Sequence, residues 1–570
     1  MPKLKVKLDG TEYMLDTQGE NLPYQKFKDS EFDPETDSKF WRSWVMRSFH
    51  GGERQERILR KEDLDNFAYH DGEGVDVSAW GKVKIQPALS RALAVQSATM
   101  PMTASGDGQT AVIGLTSTPY IKYTTNGSSF SSATGACVTN AVTVTDLVTA
   151  PTGTIYGVQG TKIIYSTDDG HTWTNDATAS VPTDMVAVTY CAGQLYALGS
   201  SYLKYYDGDS WQTATSTMGG TICCTFQENV YFAKDDCLFK WTGNSTYQDD
   251  RLPAGFVITS LVPYRKILWI LGYFNVQGGK RGAVFYVIGG YEGHLYSLED
   301  PSTSDYGIRA LAGSDDEVYI ANPERGGVDR YDLTDSGLSS GPAWNAEGYI
   351  PPKGVCYFNG YVLVGRYDNV SGTDGVYTAN VANPTTYRST GWLKTSEYDF
   401  GFGQDYKIFK SVTIRHTALA AGEQIQVEYS LDQGTTWTVA GITAVPGSTF
   451  ETFLLTDFAL VDCRGANIRL RLTLTAGTSQ LTTPTLTEVR VDAAPMTEED
   501  WSWRVRLMLP RSRQGDQLIN SMEDAADEQR VLKFEDLRGK EYDVVVDEIS
   551  VEQRAGDENS AIVYLVVRSV

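Results

Sequence analysis

The sequence predicts an all-β protein dominated by a seven-bladed β-propeller. A β-sandwich of jelly-roll type is expected to follow, and then a small C-terminal module that is α+β or itself a sandwich. Three observations carry this expectation. An apolar–Tyr–x–apolar strand pattern recurs seven times through the middle of the chain. Each copy leads, after a variable gap, into a second aromatic-containing strand and, in most copies, a polar turn. Gly (54) and Tyr (33) are both abundant, as turn-rich sheet requires.

The first strands of the repeats begin at Ala111, Ile155, Leu195, Val230, Ile267, Val318 and Tyr361. A period of about 40–45 residues with several short strands per unit marks propeller blades. The second strands run through Tyr123, Tyr165, Tyr205, Phe239, Tyr296, Tyr331 and Tyr377. Their apolar–polar alternation suits half-buried strands. Turns at Asn126-Gly127, Asp169-Gly170, Asp207-Gly208 and Gly243-Asn244 follow, and such pairs supply the positive φ of tight hairpins. Phe130, Trp173, Trp211 and Tyr247 close these turns. The blades are expected over residues 97–393. The irregular fifth and seventh units leave six or eight blades open.

Two segments match an Asp-box, S-x-D-x-G-x-T-W. One comprises Ser166, Asp168, Gly170, Thr172 and Trp173; the other Ser430, Asp432, Gly434, Thr436 and Trp437. The carboxylate accepts backbone N–H bonds, Gly takes the left-handed conformation and Trp caps the apolar edge. Sialidases and other glycan-handling propellers carry this motif as a structural staple away from their catalytic centres, so these ten residues are read as turns.

At 570 residues the chain should hold three or four domains. The net charge of −23 argues against nucleic-acid binding as the main task, while leaving room for a local basic patch. The seven cysteines form no CxxC pair and have no His at metal spacing, so they are read as reduced core residues with no metal site. The N-terminus lacks an apolar signal core, and no stretch approaches 18 apolar residues. Synthesis in a host cytoplasm without a signal peptide, and no membrane insertion, are the expectations.

Flanking segments complete the plan. Residues 1–96 begin with a hairpin and continue as an aromatic stretch. Trp41, Trp44 and Phe49 there are read either as an assembly arm that buries its aromatics on a partner or as a segment packed on the propeller. Residues 394–494 alternate cleanly around Val427 and Leu470, as sandwich strands do. Residues 495–570 combine a Trp-rich strand, a short helix near 516–524 and further strands around Val544 and Tyr564.

The search for chemistry is negative. The five histidines pair with no nucleophile motif, and G-x-S-x-G, HExxH, Walker and dinucleotide patterns are absent. No enzyme activity and no cofactor are expected. A sialidase-like glycosidase is the sharp alternative. It would need positioned carboxylates and an arginine triad drawn from Arg251, Arg265, Arg281, Arg309, Arg325, Arg330 and Arg366, but no Arg-Ile-Pro precedes the first Asp-box. Asp368 to Gly375 offers oxygen ligands for calcium but lacks the EF-hand spacing, so a solvated hairpin loop is the preferred reading. The Asn126, Asn244 and Asn369 sequons are read as unmodified turns.

The C-terminal module resembles a piece found in tail proteins of tailed bacteriophages, minor-tail or distal-tail-like. The similar residues are the Trp-rich strand ending in Leu509-Pro510-Arg511, Val531 to Phe534, Asp536 to Gly539 and Tyr542 to Val544. The lead-in from Asp71 through Gly74 and Asp76 to Gly81 and Val83 is similar to segments that precede propeller repeats in such proteins. Trp392 to Ser396 and Lys410 to Thr413 resemble their jelly rolls. The resemblance implies a structural tail component located in the virion, partnered by other tail proteins in three or six copies, with host-surface contact. The alternative from the residues is a glycan-binding protein using Trp211, Trp241, Trp269 or Trp437 as sugar platforms.

Overall fold

The structure is a computed structural model. It describes residues 69–135, 142–175, 182–249, 252–288, 352–367, 373–398, 407–455 and 463–495, apart from a few positions, with shorter runs and the strands and helix named below. Seven four-stranded antiparallel sheets form the propeller. Their first strands are Met102–Ala104, Val144–Thr149, Met185–Cys191, Ile222–Phe226, Phe256–Tyr264, Leu311–Gly313 and Pro352–Phe358. Each first strand neighbours that of the next blade, and Pro352–Phe358 returns to Met102–Ala104, so the ring is closed.

Closure has a specific clasp. Blade 7 takes its fourth strand, Ser90–Ala94, from the N-terminal side of the propeller, pairing Leu93 with Val376 and Arg91 with Tyr377. This strand lies inside the segment assigned to the arm, so the propeller begins earlier than residue 97. The blades stack through apolar side chains: Trp269, Leu271 and Val284 of blade 5 join Tyr319 and Ile320 of blade 6 and Val364 of blade 7 in one buried cluster. Alternation along each strand sends one set of side chains to each neighbouring blade, so the strands of this ring are apolar on both faces.

The sandwich consists of two five-stranded sheets. One runs Thr438–Thr443, Gln424–Ser430, Arg469–Thr475, Thr390–Lys394, Asp71–Glu73. The other runs Arg42–Met46, Leu486–Pro495, Lys407–His416, Phe450–Leu454, with Arg464–Gly465 also on Lys407–His416. Two of these strands come from the segment expected to be an arm. Trp44 is 2% exposed and Phe49 3%. The Trp44 ring lies 4.7 Å from that of Tyr398. Trp44 and Phe49 therefore fill the sandwich core and offer nothing to a partner; their aromatic surface is buried within the same chain. Trp41 lies outside the described residues.

The last module recruits the N-terminal hairpin. Its sheet runs Thr11–Leu15, Lys5–Leu8, Leu532–Glu535, Glu541–Gln553, Ser560–Ser569, Trp501–Pro510, Pro23–Gln25. Met14 and Leu15 also pair with Met508 and Leu507, which closes the first six strands on themselves. The helix Arg513–Asp527 is longer than the sequence suggested. It packs Met522 and Ala525, with Leu518 and Ile519, against Phe534, Val546 and Val563. The i, i+3, i+4 and i+7 spacing of these residues is that of one helix face.

A buried ion cluster joins the lead-in strand to the propeller. Asp76, on Val75–Asp76, is bonded by Arg330 of blade 6 at 2.9 Å and by Lys84 at 3.4 Å. Arg330 also donates to Ser78 Oγ at 3.0 Å and to Glu317. Burial opposes ionisation of Asp76, but the charges of Arg330 and Lys84 outweigh it and hold the carboxyl well below the usual carboxylate range.

Candidate functional site

The two ends of the propeller are built differently. One end carries the turns between first and second strands and between third and fourth. Four of its first-to-second-strand turns hold consecutive residues at positive φ: Ala192-Gly193, Gln227-Glu228, Arg265-Lys266 and Asn359-Gly360. This is the geometry of two-residue hairpins that match strand twist. We call it the turn face. The opposite end, the crossover face, carries the links from one blade to the next and the hairpins between second and third strands.

Where the innermost strands rise to the crossover face, four of them are interrupted in the same way. The pairing register shifts between Val144 and Asp146, Met185 and Ala187, Ile258 and Ser260, and Pro352 and Gly354. Each shift inserts one residue: Thr145, Val186, Thr259 and Lys353. All four are half-exposed. Bulges bend a strand and re-aim a side chain, and they gather at rims and functional sites. Below them the blades are laced by polar bonds. Asp146 is fully buried and accepts the Val188 amide of the next blade at 3.1 Å. Thr103 and Thr149 meet at 2.9 Å, as do Thr189 and Thr225. Ser260 Oγ accepts the Ala310 amide at 3.2 Å.

The bulge ring was not foreseen from the sequence, although a signal exists. Val144-Thr-Asp-Leu-Val148 and Ile258-Thr-Ser-Leu-Val262 are one pattern, with a small polar residue inside an otherwise apolar strand. That polar residue makes the cross-blade bond, and the threonine before it is the inserted one.

Two further features flank the ring. In blade 3, the Tyr202 hydroxyl donates to the Thr183 carbonyl, and Lys204 Nζ lies 5.3 Å from the ring centroid. Burial, and then the nearby Asp184 charge, push the Tyr202 hydroxyl up to about 12, so it remains a donor across the physiological range. In blade 5, the strands Ile267–Val276 and Gly279–Ile288 are ten residues each, whereas the second and third strands of blade 3 have six and four. Beyond Gly272, which pairs next to the bulge, the second strand continues through Tyr273, Phe274, Asn275 and Val276. The first strand accompanies it as far as Phe256, paired with Phe274, so Asn275 and Val276 reach about 7 Å beyond the first strand at about 3.3 Å per residue. Lys280 Nζ sits 4.2 Å from the centroid of Tyr273.

The Asp-boxes lie elsewhere. The first joins Lys162–Ser166 to Thr174–Asn175 on the turn face of blade 2, and the second joins Gln424–Ser430 to Thr438–Thr443 in the sandwich. Their bonding is the same. Ser166 Oγ donates to Asp168 Oδ1 at 2.8 Å and accepts the Gly170 amide at 2.9 Å; for Ser430, Asp432 and Gly434 the distances are 2.7 and 2.8 Å. The Thr172 and Thr436 amides each donate to the aspartate Oδ1 at 2.8 Å. Gly170 and Gly434 have φ of 89° and 88°, which a Cβ would strain. Trp173 is buried and donates to Gly170 O at 2.9 Å. Trp437 is half-buried beneath the Arg471 guanidinium, 4.8 Å from its ring. Hydrogen bonds from the Thr436 side chain and amide and from Ser430 hold the exposed Asp432 carboxyl at about 2. Changing Asp432 to alanine is expected to speed hydrogen exchange of the Thr436 amide at least tenfold. In the unchanged protein that protection should be complete above the ordinary carboxylate pKa of about 3.9 and fade as pH falls towards 2. Unaltered exchange at Thr436 in the variant would show that the carboxylate does not hold this turn.

The other residues of interest do not converge. Trp269 is fully buried and Trp241 8% exposed, so neither is a sugar platform; Trp211 and Trp437 are half-buried. Of the described arginines, Arg265 is in a turn-face hairpin, Arg281 on the raised hairpin, Arg330 in the Asp76 cluster, and Arg366 buried against Tyr377 at 4.8 Å. They do not form a triad. Among the described residues no group of three His, Cys, Asp or Glu could hold a metal, and no helix is long and apolar enough to cross a membrane. Much of the Asp368 to Gly375 segment, read as a solvated hairpin loop, lies outside the described residues. Six of the seven cysteines are buried, and there is no disulfide among the described residues.

No family model matches the chain, and no curated protein matches it. Solved structures similar to it include extracellular domains of two bacterial signalling proteins from B. thetaiotaomicron. One belongs to a putative one-component system (TM-score 0.36, 11% identity, 57% of this chain and 43% of that one). The other belongs to a putative hybrid two-component system (TM-score 0.37, 8% identity, 83% and 57%). A third is a glycoside hydrolase (TM-score 0.22, 13% identity, 59% and 94%). The chain spans about half the length of the two sensor domains. At these scores the likenesses carry no argument about the architecture, which rests on the sheets themselves. The phage-tail resemblance is corrected here: these neighbours are bacterial extracellular domains and a glycoside hydrolase, and none is a tail protein. With it fall the virion location, the tail-protein partners and the ring of three or six copies.

Proposed function

We propose that this chain is a carbohydrate-binding protein that acts without catalysis, and that the crossover face of the propeller is its binding surface. The observation that carries this reading is the set of four bulges placed alike on four innermost strands, which opens the rim of that face around half-exposed side chains. Sugars present C–H faces that stack on aromatic rings and hydroxyls that pair with fixed donors and acceptors. Tyr202 and Tyr273 supply half-buried rings, each with a lysine beside it, and Thr145 and Thr259 supply hydroxyls at the rim. The high negative charge also argues against a nucleic acid as the ligand.

A glycan array tests the reading. The full-length chain is expected to retain at least one glycan class, and Tyr202→Ala with Tyr273→Ala should weaken that binding at least tenfold. A parallel panel of fluorogenic glycosides should show no turnover. An array without hits would sink the proposal, and turnover would replace it with a glycosidase.

A further inference from the structure

We infer that the raised hairpin of blade 5 selects carboxylated saccharides, so that the ligand class is an acidic, uronate-type glycan. This rests on the carbohydrate reading above and deepens it. The hairpin is the tallest described element of the crossover face, and its sides differ. Phe274 turns towards blade 4: its ring lies 5.2 Å from Phe256, within the cluster shared with Ile222 and Leu238. Leu271, two residues before Tyr273 and therefore on the same side of the strand, belongs to the cluster shared with blades 6 and 7. Tyr273 thus faces blade 6. Asn275 and Lys280 are directly paired across the hairpin, and Lys280 lies over the Tyr273 ring.

This side presents a ring, an amide and an ammonium within one hairpin. These are the groups that a pyranose bearing a carboxylate engages: the ring face stacks on tyrosine, a hydroxyl pairs with asparagine and the carboxylate meets the ammonium. Arg281, exposed and paired with Phe274, points to the other side of the hairpin and is not part of this set. The chain's net charge of −23 opposes any anion. Charges more than about 8 Å away are largely screened at physiological salt, whereas Lys280 meets a ligand carboxylate at contact. Lys353, inserted at the bulge of blade 7, supplies another cation on the same rim.

The test uses matched probes: oligogalacturonate, alginate and hyaluronan oligosaccharides, each beside its methyl-esterified form, with neutral dextran oligosaccharides as a further control. Titration calorimetry on the full chain should give at least tenfold tighter binding for one acid over its ester. Lys280→Met, which keeps the stem on Tyr273, should remove that difference, whereas Arg281→Gln should leave it, with the unfolding profile unchanged in both. Equal binding of acid and ester, or binding of neutral sugars alone, would overturn this inference and leave the carbohydrate reading intact. Absence of binding to every sugar would overturn both. An acid preference that survives Lys280→Met would remove the hairpin from the account.

Discussion

Replacing Trp44 with alanine is expected to destabilise the sandwich by about 3–5 kcal/mol, the range for deleting a buried aromatic. The ring is 2% exposed and packs on Tyr398 and edge-on to Phe400, so its loss leaves a void between the two sheets. A loss of that size consumes a large share of the stability of a domain this large. Removing residues 1–60 should have a greater effect, because it also strips Arg42–Met46 from Leu486–Pro495. The propeller keeps its clasp, Ser90–Ala94, in the truncated chain. Calorimetry should therefore show the sandwich and terminal-module transitions lost, the latter because Lys5–Leu8 and Thr11–Leu15 also leave the last sheet, and the propeller transition kept. A truncated protein with its full set of transitions would mean that Trp44 and Phe49 are dispensable.

The second large effect is expected at the junction. Asp76 and Arg330 are almost completely buried and bonded to each other, and breaking a buried pair costs about 3–5 kcal/mol because one charge is left without its counterpart. Asp76→Asn should loosen the lead-in segment from blade 6 and open residues 77–89 to proteases at neutral pH. Arg330→Met should do the same. The two together should cost less than the sum of the singles. The effect of pH follows from the lowered pKa of Asp76. Its contribution is complete above the unfolded-state carboxylate pKa of about 3.9 and is lost as pH falls towards the folded value. Native protein should thus become protease-sensitive at this junction in strong acid, whereas Asp76→Asn should be sensitive throughout. A variant with unchanged cleavage would show that the cluster does not hold the junction.

The propeller was legible in the sequence because a blade is a local object. Four strands within about 40 residues leave a repeating pattern, and Asp-Gly or Asn-Gly turns punctuate it. The Asp-box turns were legible for the same reason, since every bond in them spans four residues or fewer. Trp44 was misread because its partners, Tyr398 and Val491, lie hundreds of positions away, and an aromatic-rich segment reads alike whether its cover is a partner or its own chain. Ser90–Ala94 was misplaced for the same reason. The crossover face was largely hidden. A bulge is one residue in a strand, and it shows in sequence only as Thr145 before Asp146 and Thr259 before Ser260. The length of the blade 5 hairpin was visible, as the widest spacing between repeats, but it registered as irregularity.

All three closed bodies of this protein are completed by strands that precede the propeller. Lys5–Leu8 and Thr11–Leu15 enter the last sheet, Arg42–Met46 and Asp71–Glu73 the sandwich, and Ser90–Ala94 the ring. During synthesis these pieces emerge before their partners and must wait for them. Blade 7 cannot be sealed until Gly375–Asn380 has left the ribosome, nor the final sheet until Ser560–Ser569 has done so. Pairings of such long sequence separation make for slow, late folding, and open strand edges persist in the interval. Expression of the propeller, sandwich or terminal module by itself should yield aggregating material unless the matching N-terminal strand is spliced back on. For production and for crystallography, the useful unit is the chain in one piece.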